Sequence, residues 1–205
     1  MKSRPAPRVA LVFDDGPVPG NGDLLLRALA EGGAKATFAW LGRNLASPPN
    51  LELARRALAA GHEAMNHSFA HANLKDLPDL AAIEAEVGGA QRVFREVLGV
   101  APSFFWVPYG GGACDARTPP IAKAAGLRLL HLEAARIVST GDWDPKVPAG
   151  EIRARATRDI TDGAALIFHE WRKETAEVLP EILRDLREQG FRFLTVSRML
   201  APTPA

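Results

Sequence analysis

The stretch "VALVFDDGP", residues 9–17, sets five apolar residues directly against two adjacent aspartates. A run this short, continuous and Val-rich reads as a strand buried on both faces, as strands in parallel sheets are. Asp14 and Asp15 then crowd together at the strand's mouth. Two like charges so placed raise each other's energy unless something positive is shared between them.

Outward from that strand, short apolar runs alternate with longer amphipathic stretches. Strands are expected at 8–13, 36–41, 62–66, 103–107, 127–131, 136–140, 164–168 and 192–196. Helical periodicity falls at 22–31, 51–60, 79–98, 118–125, 149–158 and 174–189, several of these closed by Gly32, Gly61, Gly99, Gly126 or Gly190. This β/α rhythm predicts an α/β chain, barrel-like or wound, with its site at the carboxyl ends of the strands. Polar or glycine-rich groups do follow five strands: Asp14 and Asp15, "NHSFAH" (66–71), "VPYGGG" (107–112), "GDWD" (141–144) and His169.

Composition narrows the chemistry. At 205 residues, 47% hydrophobic and 24% charged, the chain is long enough for one domain that buries about 70% of its unfolded surface. One domain over 1–205 is expected, with a loose tail at 201–205. A net charge of +1, with scattered Lys and Arg, argues against a nucleic-acid partner. Cys114 is the only cysteine, so any metal must be held by His, Asp or Glu. No run reaches membrane-spanning length and "MKSRPAPRVALVF" is too short in its apolar part for a signal peptide, so a cytoplasmic chain is expected, or a secreted one trimmed of its leader. No protein partner is implied.

His67 and His71, spaced i and i+4, would share one side of a helical turn and could reach a single ion. Ser68 follows His67, so the Glu of H-E-x-x-H is missing and a third ligand and a base must come from elsewhere. The aspartate pair can supply both: one carboxylate completes a two-His, one-carboxylate set with an open position, and the other is free to take a proton from water. Spacing does not say which is which.

The ordered set "FDDGP", "GHEAMNHSFAH", "VPYGGG", "GDW" and "LIFH" resembles the polysaccharide deacetylase family, the NodB-homology carbohydrate esterases, across residues 9–171. The resemblance implies removal of acetyl groups from N-acetylated amino sugars by metal-assisted hydrolysis. It makes Asp14 the general base, Asp15, His67 and His71 the ligands of one divalent cation (Zn2+ first, with Co2+, Ni2+ or Mn2+ as alternatives), His169 the general acid and Asp142 the carboxylate that charges it. Trp143, Leu166 and Ile167 resemble the lining around the acyl methyl, with core packing the plainer reading of Leu166. Tyr109 belongs to the loop whose backbone N–H helps hold the oxyanion. With the rhythm above, the expected fold is a single-domain distorted (β/α) barrel of about seven or eight strands.

Two positions depart from that pattern. Trp106 stands where the family carries an arginine paired to the catalytic aspartate, and indole has no positive charge. The base should then protonate more easily and be less firmly oriented, unless Arg117 or Arg136 compensates. Trp106 itself would contact substrate, as a wall or as a stacking platform for a sugar ring. Ser139 stands three residues before Asp142, where many relatives have another acid. These changes leave a carbohydrate or another small acyl amide or ester as substrate, with a deformylase, an O-acetyl esterase or an idle glycan-binding domain as the alternatives.

Overall fold

The computed structural model describes residues 5–201. Residues 202–205 of the expected loose tail lie outside the described residues. The strands are β1 (Arg8–Gly16), β2 (Thr37–Trp40), β3 (Glu63–Asn66), β4 (Phe104–Phe105), β5 (Arg128–Leu129), β6 (Arg136–Ser139), β7 (Ala164–His169) and β8 (Arg192–Phe193). The helices are α1 (Asn21–Glu31), α2 (Pro48–Ala59), α3 (Leu80–Val93), α4 (Thr118–Ala124), α5 (Leu130–Glu133), α6 (Ala149–Thr157), α7 (Lys173–Glu188) and α8 (Val196–Leu200).

All pairings are parallel, in the order β5-β4-β3-β2-β1-β7-β6, with β8 joined to β1 beside this path. The result is a curled sheet with helices outside it, the expected distorted barrel. β1 is its pivot: Arg8 and Val9 pair β8, Val9–Asp14 pair β7, and Val12 onward pair β2.

Alternation along β1 divides two cores. Val9, Leu11 and Phe13 pack outward with Leu25 and Leu29 of α1 and Leu179, Ile182, Leu183 and Leu186 of α7. That α7 set recurs at helical spacing and forms one apolar stripe, each member worth about 1.5–3 kcal/mol once buried. Ala10 and Val12 point inward, among Ala39, Met65, Trp106, Leu130, Ala165 and Ile167. Two residues beyond Val12, Asp14 therefore faces the barrel interior at its carboxyl end. Val196 and Met199 of α8 close the opposite end, where the Val196 amide donates to Thr37 Oγ1 at the start of β2.

Several elements differ from the sequence expectation, among them the 103–107 strand, which shortens to β4. The 127–131 strand shortens to β5 because Leu130 enters the inner core as the chain turns into α5. The 79–98 helix ends as α at Val93 and continues as a π turn, Phe94–Leu98, stopped by Gly99 at φ 68°. The 192–196 strand stops at Phe193, since Val196 already belongs to the helix beneath the barrel.

Candidate metal centre and active site

In the β1–β2 register Asp14 lies opposite Ala39 and Gly16 opposite Trp40, so Asp15 is an extra residue, a bulge. Its φ is 70°, a left-handed conformation that Asp tolerates better than most residues. Strict alternation would send Asp15 to the outer face. The bulge turns it back, and both carboxylates reach the same pocket.

The bulge is held from three sides. Asn44 Nδ2 donates to the carbonyls of Asp15 (2.9 Å) and Gly16 (3.1 Å), and Trp171 Nε1 donates to Asp15 Oδ2 (2.9 Å). Beneath it the buried Glu170 carboxylate accepts from the Val18 amide (2.8 Å) and Trp40 Nε1 (3.0 Å). Gly16 is needed there: a Cβ would lie 1.8 Å from Glu170 Oε2.

His67 and His71 are brought together by a loop and not by the expected helical turn. Ser68 (φ 73°) and His71 (φ 63°) are left-handed, and Ser68 Oγ accepts the His71 amide at 3.0 Å. The rings sit 5.1 Å apart, with Nε2 of His71 and of His67 at 3.2 and 3.4 Å from Asp15 Oδ1. His67 Nδ1 lies 2.7 Å from the Trp106 carbonyl, which can only accept, so the proton is on Nδ1 and Nε2 is free for an ion. Asp15 Oδ1 is buried with no hydrogen-bond partner. The ligand atoms of Asp15, His67 and His71 lie within 4.8 Å of one another, so this donor set fits one divalent cation.

Burial disfavours the Asp15 charge, yet the fields of His67 and His71 and the Trp171 N–H outweigh it and hold its carboxyl well below the usual range. Asp14 is the reverse. Burial, aided by Asp15, pushes it up to about 6 against the opposing fields of His67 and His169. The two neighbours thus separate into an ionised ligand and a carboxylate able to take a proton.

β7 brings the second proton-handling group. Register places His169 directly beside Asp14 on the adjacent strand. Asp142, fully buried, takes His169 Nδ1–H on Oδ1 (2.7 Å) and the His169 amide (2.8 Å) and Thr175 Oγ1 (2.6 Å) on Oδ2. Burial opposes protonation of His169, but this hydrogen bond and the fields of Asp14, Asp142 and Asp15 overcome it and raise His169 to about 9.

These groups line a cavity of about 570 Å³ with Trp106, Tyr109, Gly110, Gly111, Ile137, Ser139, Trp143, Ile167 and Trp171. Ile167 faces it from the inner side of β7, while Leu166 faces outward into the helix-side core, as the plainer reading held. Tyr109 and Trp143 stand open at the rim, 67% and 60% exposed, and the Tyr109 ring packs 4.7 Å from that of His71.

Trp106 corrects one expectation. Its Nε1 donates to Asp14 Oδ2 at 2.7 Å, so the aspartate is firmly held. Neither arginine compensates: Arg117 binds Asp115 and the Leu77 and Pro78 carbonyls, and Arg136 binds the Asp159 carbonyl. At 4% exposure the indole forms part of the wall and has no open face for stacking. Sequence reasoning missed Asn44, Glu170, Trp171 and Thr175. The one signal available was "HEW", which attaches Glu170 and Trp171 directly to His169.

A family model described as polysaccharide deacetylase matches residues 1–130. The chain belongs to the polysaccharide deacetylase family. It is 29% identical over 198 residues to a peptidoglycan-N-acetylglucosamine deacetylase of Listeria monocytogenes, covering 97% of this chain and 40% of that one. It is 30% identical over 206 residues to a chitooligosaccharide deacetylase of Sinorhizobium fredii, covering 91% of this chain and 88% of that one. The chain thus spans about 40% of the length of the Listeria relative and most of the Sinorhizobium one. Among solved structures, a family 4 carbohydrate esterase from Streptomyces lividans in complex with acetate superimposes with a TM-score of 0.83 at 27% identity, over 97% of this deacetylase-family chain and 98% of that one.

Proposed function

We propose that the protein is a divalent-metal-dependent N-deacetylase that hydrolyses the acetamide of an N-acetylated amino sugar, free or in a glycan. The observation that carries the reading is the arrangement of two proton-handling groups, Asp14 and His169, on adjacent strands beside an Asp15–His67–His71 triad. Zn2+ is the proposed ion. A divalent cation held by that triad would polarise the acyl carbonyl and acidify water.

Every other step belongs to the chain's own residues. Asp14, buried and raised to about 6, takes the proton of the attacking water. The attack leaves a tetrahedral oxyanion on the substrate, and the backbone of the loop around Tyr109 is the proposed donor to it. His169, held protonated by Asp142, gives its proton to the departing nitrogen, because an amine leaves poorly as an anion. Ile167 and Trp143 line the space for the acyl methyl, and the exposed Tyr109 and Trp143 rings suit the faces of a sugar.

Acetate and free-amine release from chito-oligosaccharides, with metal-stripped and metal-loaded protein, tests this reading. Metal-dependent amine release that Asp14→Ala abolishes is the expected result. Turnover of only an acetyl ester or a formamide would transfer the site to the esterase or deformylase class. No release from any of the three, with Asp14→Ala changing nothing, would make this a glycan-binding domain.

A further inference from the structure

Trp106 touches the machinery at both of its ends. Its indole N–H meets Asp14 Oδ2 at 2.7 Å, and its own carbonyl accepts His67 Nδ1–H at 2.7 Å. Its amide in turn donates to the Asn66 carbonyl at the end of β3 (3.0 Å), so the residue is anchored to the neighbouring strand. We propose that Trp106 is the positioning residue of the base: its N–H fixes the Asp14 carboxylate so that Oδ1 is the oxygen that takes the proton, while its carbonyl fixes the tautomer of His67. This rests on Asp14 being the base, as stated above.

Three facts support the assignment. Asp14 Oδ1 is buried and has no hydrogen-bond partner, whereas Oδ2 is occupied. His67 Nε2, at 3.8 Å from Oδ2, is too far to replace the indole as a donor. Indole N–H is a donor only, and its ring is buried in one cluster with Met65, Ala39 and Leu130, so the contact has a single direction. Base and metal ligand are therefore set by a single rigid residue, and a small error in its placement would be felt by both.

The test pairs Trp106→Phe, which keeps the wall and removes the donor, with Trp106→Arg, which returns N–H donors. The expected result with chito-oligosaccharide is a kcat about 10–100-fold lower for Trp106→Phe, with KM within roughly threefold and unchanged Zn2+ affinity, since the carbonyl remains. Trp106→Arg should recover most of the lost kcat. In metal-free protein, the assigned Trp106 indole N–H resonance, one of four tryptophan signals, should move upfield in Asp14→Ala. A folded, active Trp106→Phe with parental kcat, or one with raised KM and unchanged kcat, would overturn the assignment. So would a Trp106 resonance indifferent to Asp14→Ala, a measurement that decides the matter alone if Trp106→Phe does not fold. A parent protein inactive on every acyl substrate would instead defeat the base reading itself, and this assignment with it.

Discussion

The imidazole of His169 and the carboxylate of Asp142 form a closed pair: Nδ1 lies 2.7 Å from Oδ1, and the same carboxylate also takes the His169 amide and Thr175 Oγ1 on its other oxygen. Both oxygens of Asp142 thus have donors, and the Nδ1 edge of His169 is committed to it. In the proposed reaction, Nε2 is the ring nitrogen left to serve a leaving group.

That pairing sets a pH limit. As the proposed general acid His169 must be protonated to act, and it is raised to about 9, so kcat/KM should fall as pH rises through that value. Asp142→Asn removes the charge that opposes the burial penalty, so the alkaline limb should move to lower pH and kcat should drop roughly 10–100-fold near pH 8. Asn presents N–H to two existing donors, so the variant should also lose about 1–3 kcal/mol of stability. A pH–rate profile separates the two effects, because instability alone would not move the limb.

The triad makes a second, independent statement. His71 is the most open of the three ligands, with a side chain 22% exposed, so His71→Ala should fold. It should bind Zn2+ at least roughly 100-fold more weakly by titration calorimetry, whereas Asp14→Asn should bind nearly as the parent does. Chelation should lower the melting temperature of the parent and Zn2+ should restore it, since an ion at 100 times its Kd adds about 2.7 kcal/mol to the folded state. A chelator that left the melting temperature unchanged would count against a bound ion.

Much of this site was legible because it follows from period-two alternation and strand ends. Ala10, Val12 and Asp14 share the inner face, and Ile167 and His169 share it one strand away. What could not be read was backbone twist and distant pairing. The i,i+4 spacing of His67 and His71 suggested a helix, but left-handed Ser68 and His71 build a loop to the same end. Nothing local announces that Asp15 bulges. Trp171 meets Asp15 across 156 residues and Trp106 meets Asp14 across 92, and a tryptophan quoted from sequence shows its bulk more readily than its single N–H.

Gly16 should be intolerant of the smallest enlargement. The Cβ of Gly16→Ala would meet Glu170 Oε2 at 1.8 Å and Trp40 Cδ1 at 2.9 Å, both in a packed interior. The expected cost is about 1–3 kcal/mol in urea unfolding, with a fall in kcat as the Asp14–Asp15 bulge is displaced. Gly112→Ala, with open space around its Cβ, is the matched control.

Glu170 gives the fold its own pH dependence. Burial raises its carboxyl from 4.5 to about 7, against the Val18 and Trp40 N–H donors that favour the charge. The folded chain therefore holds a proton that the unfolded chain has released between those two values. Stability contributed by this group is complete below about pH 4.5 and is lost as pH rises through about 7. Across that window the loss should be roughly 2–3 kcal/mol, from about 1.4 kcal/mol per unit. Glu170→Gln carries no titration there, so the difference in unfolding free energy between parent and variant, measured with urea on metal-free protein at pH 5 and pH 8, should shift towards the variant at the higher pH. An identical difference at both values would mean that Glu170 is ionised throughout, with its two N–H donors outweighing its burial.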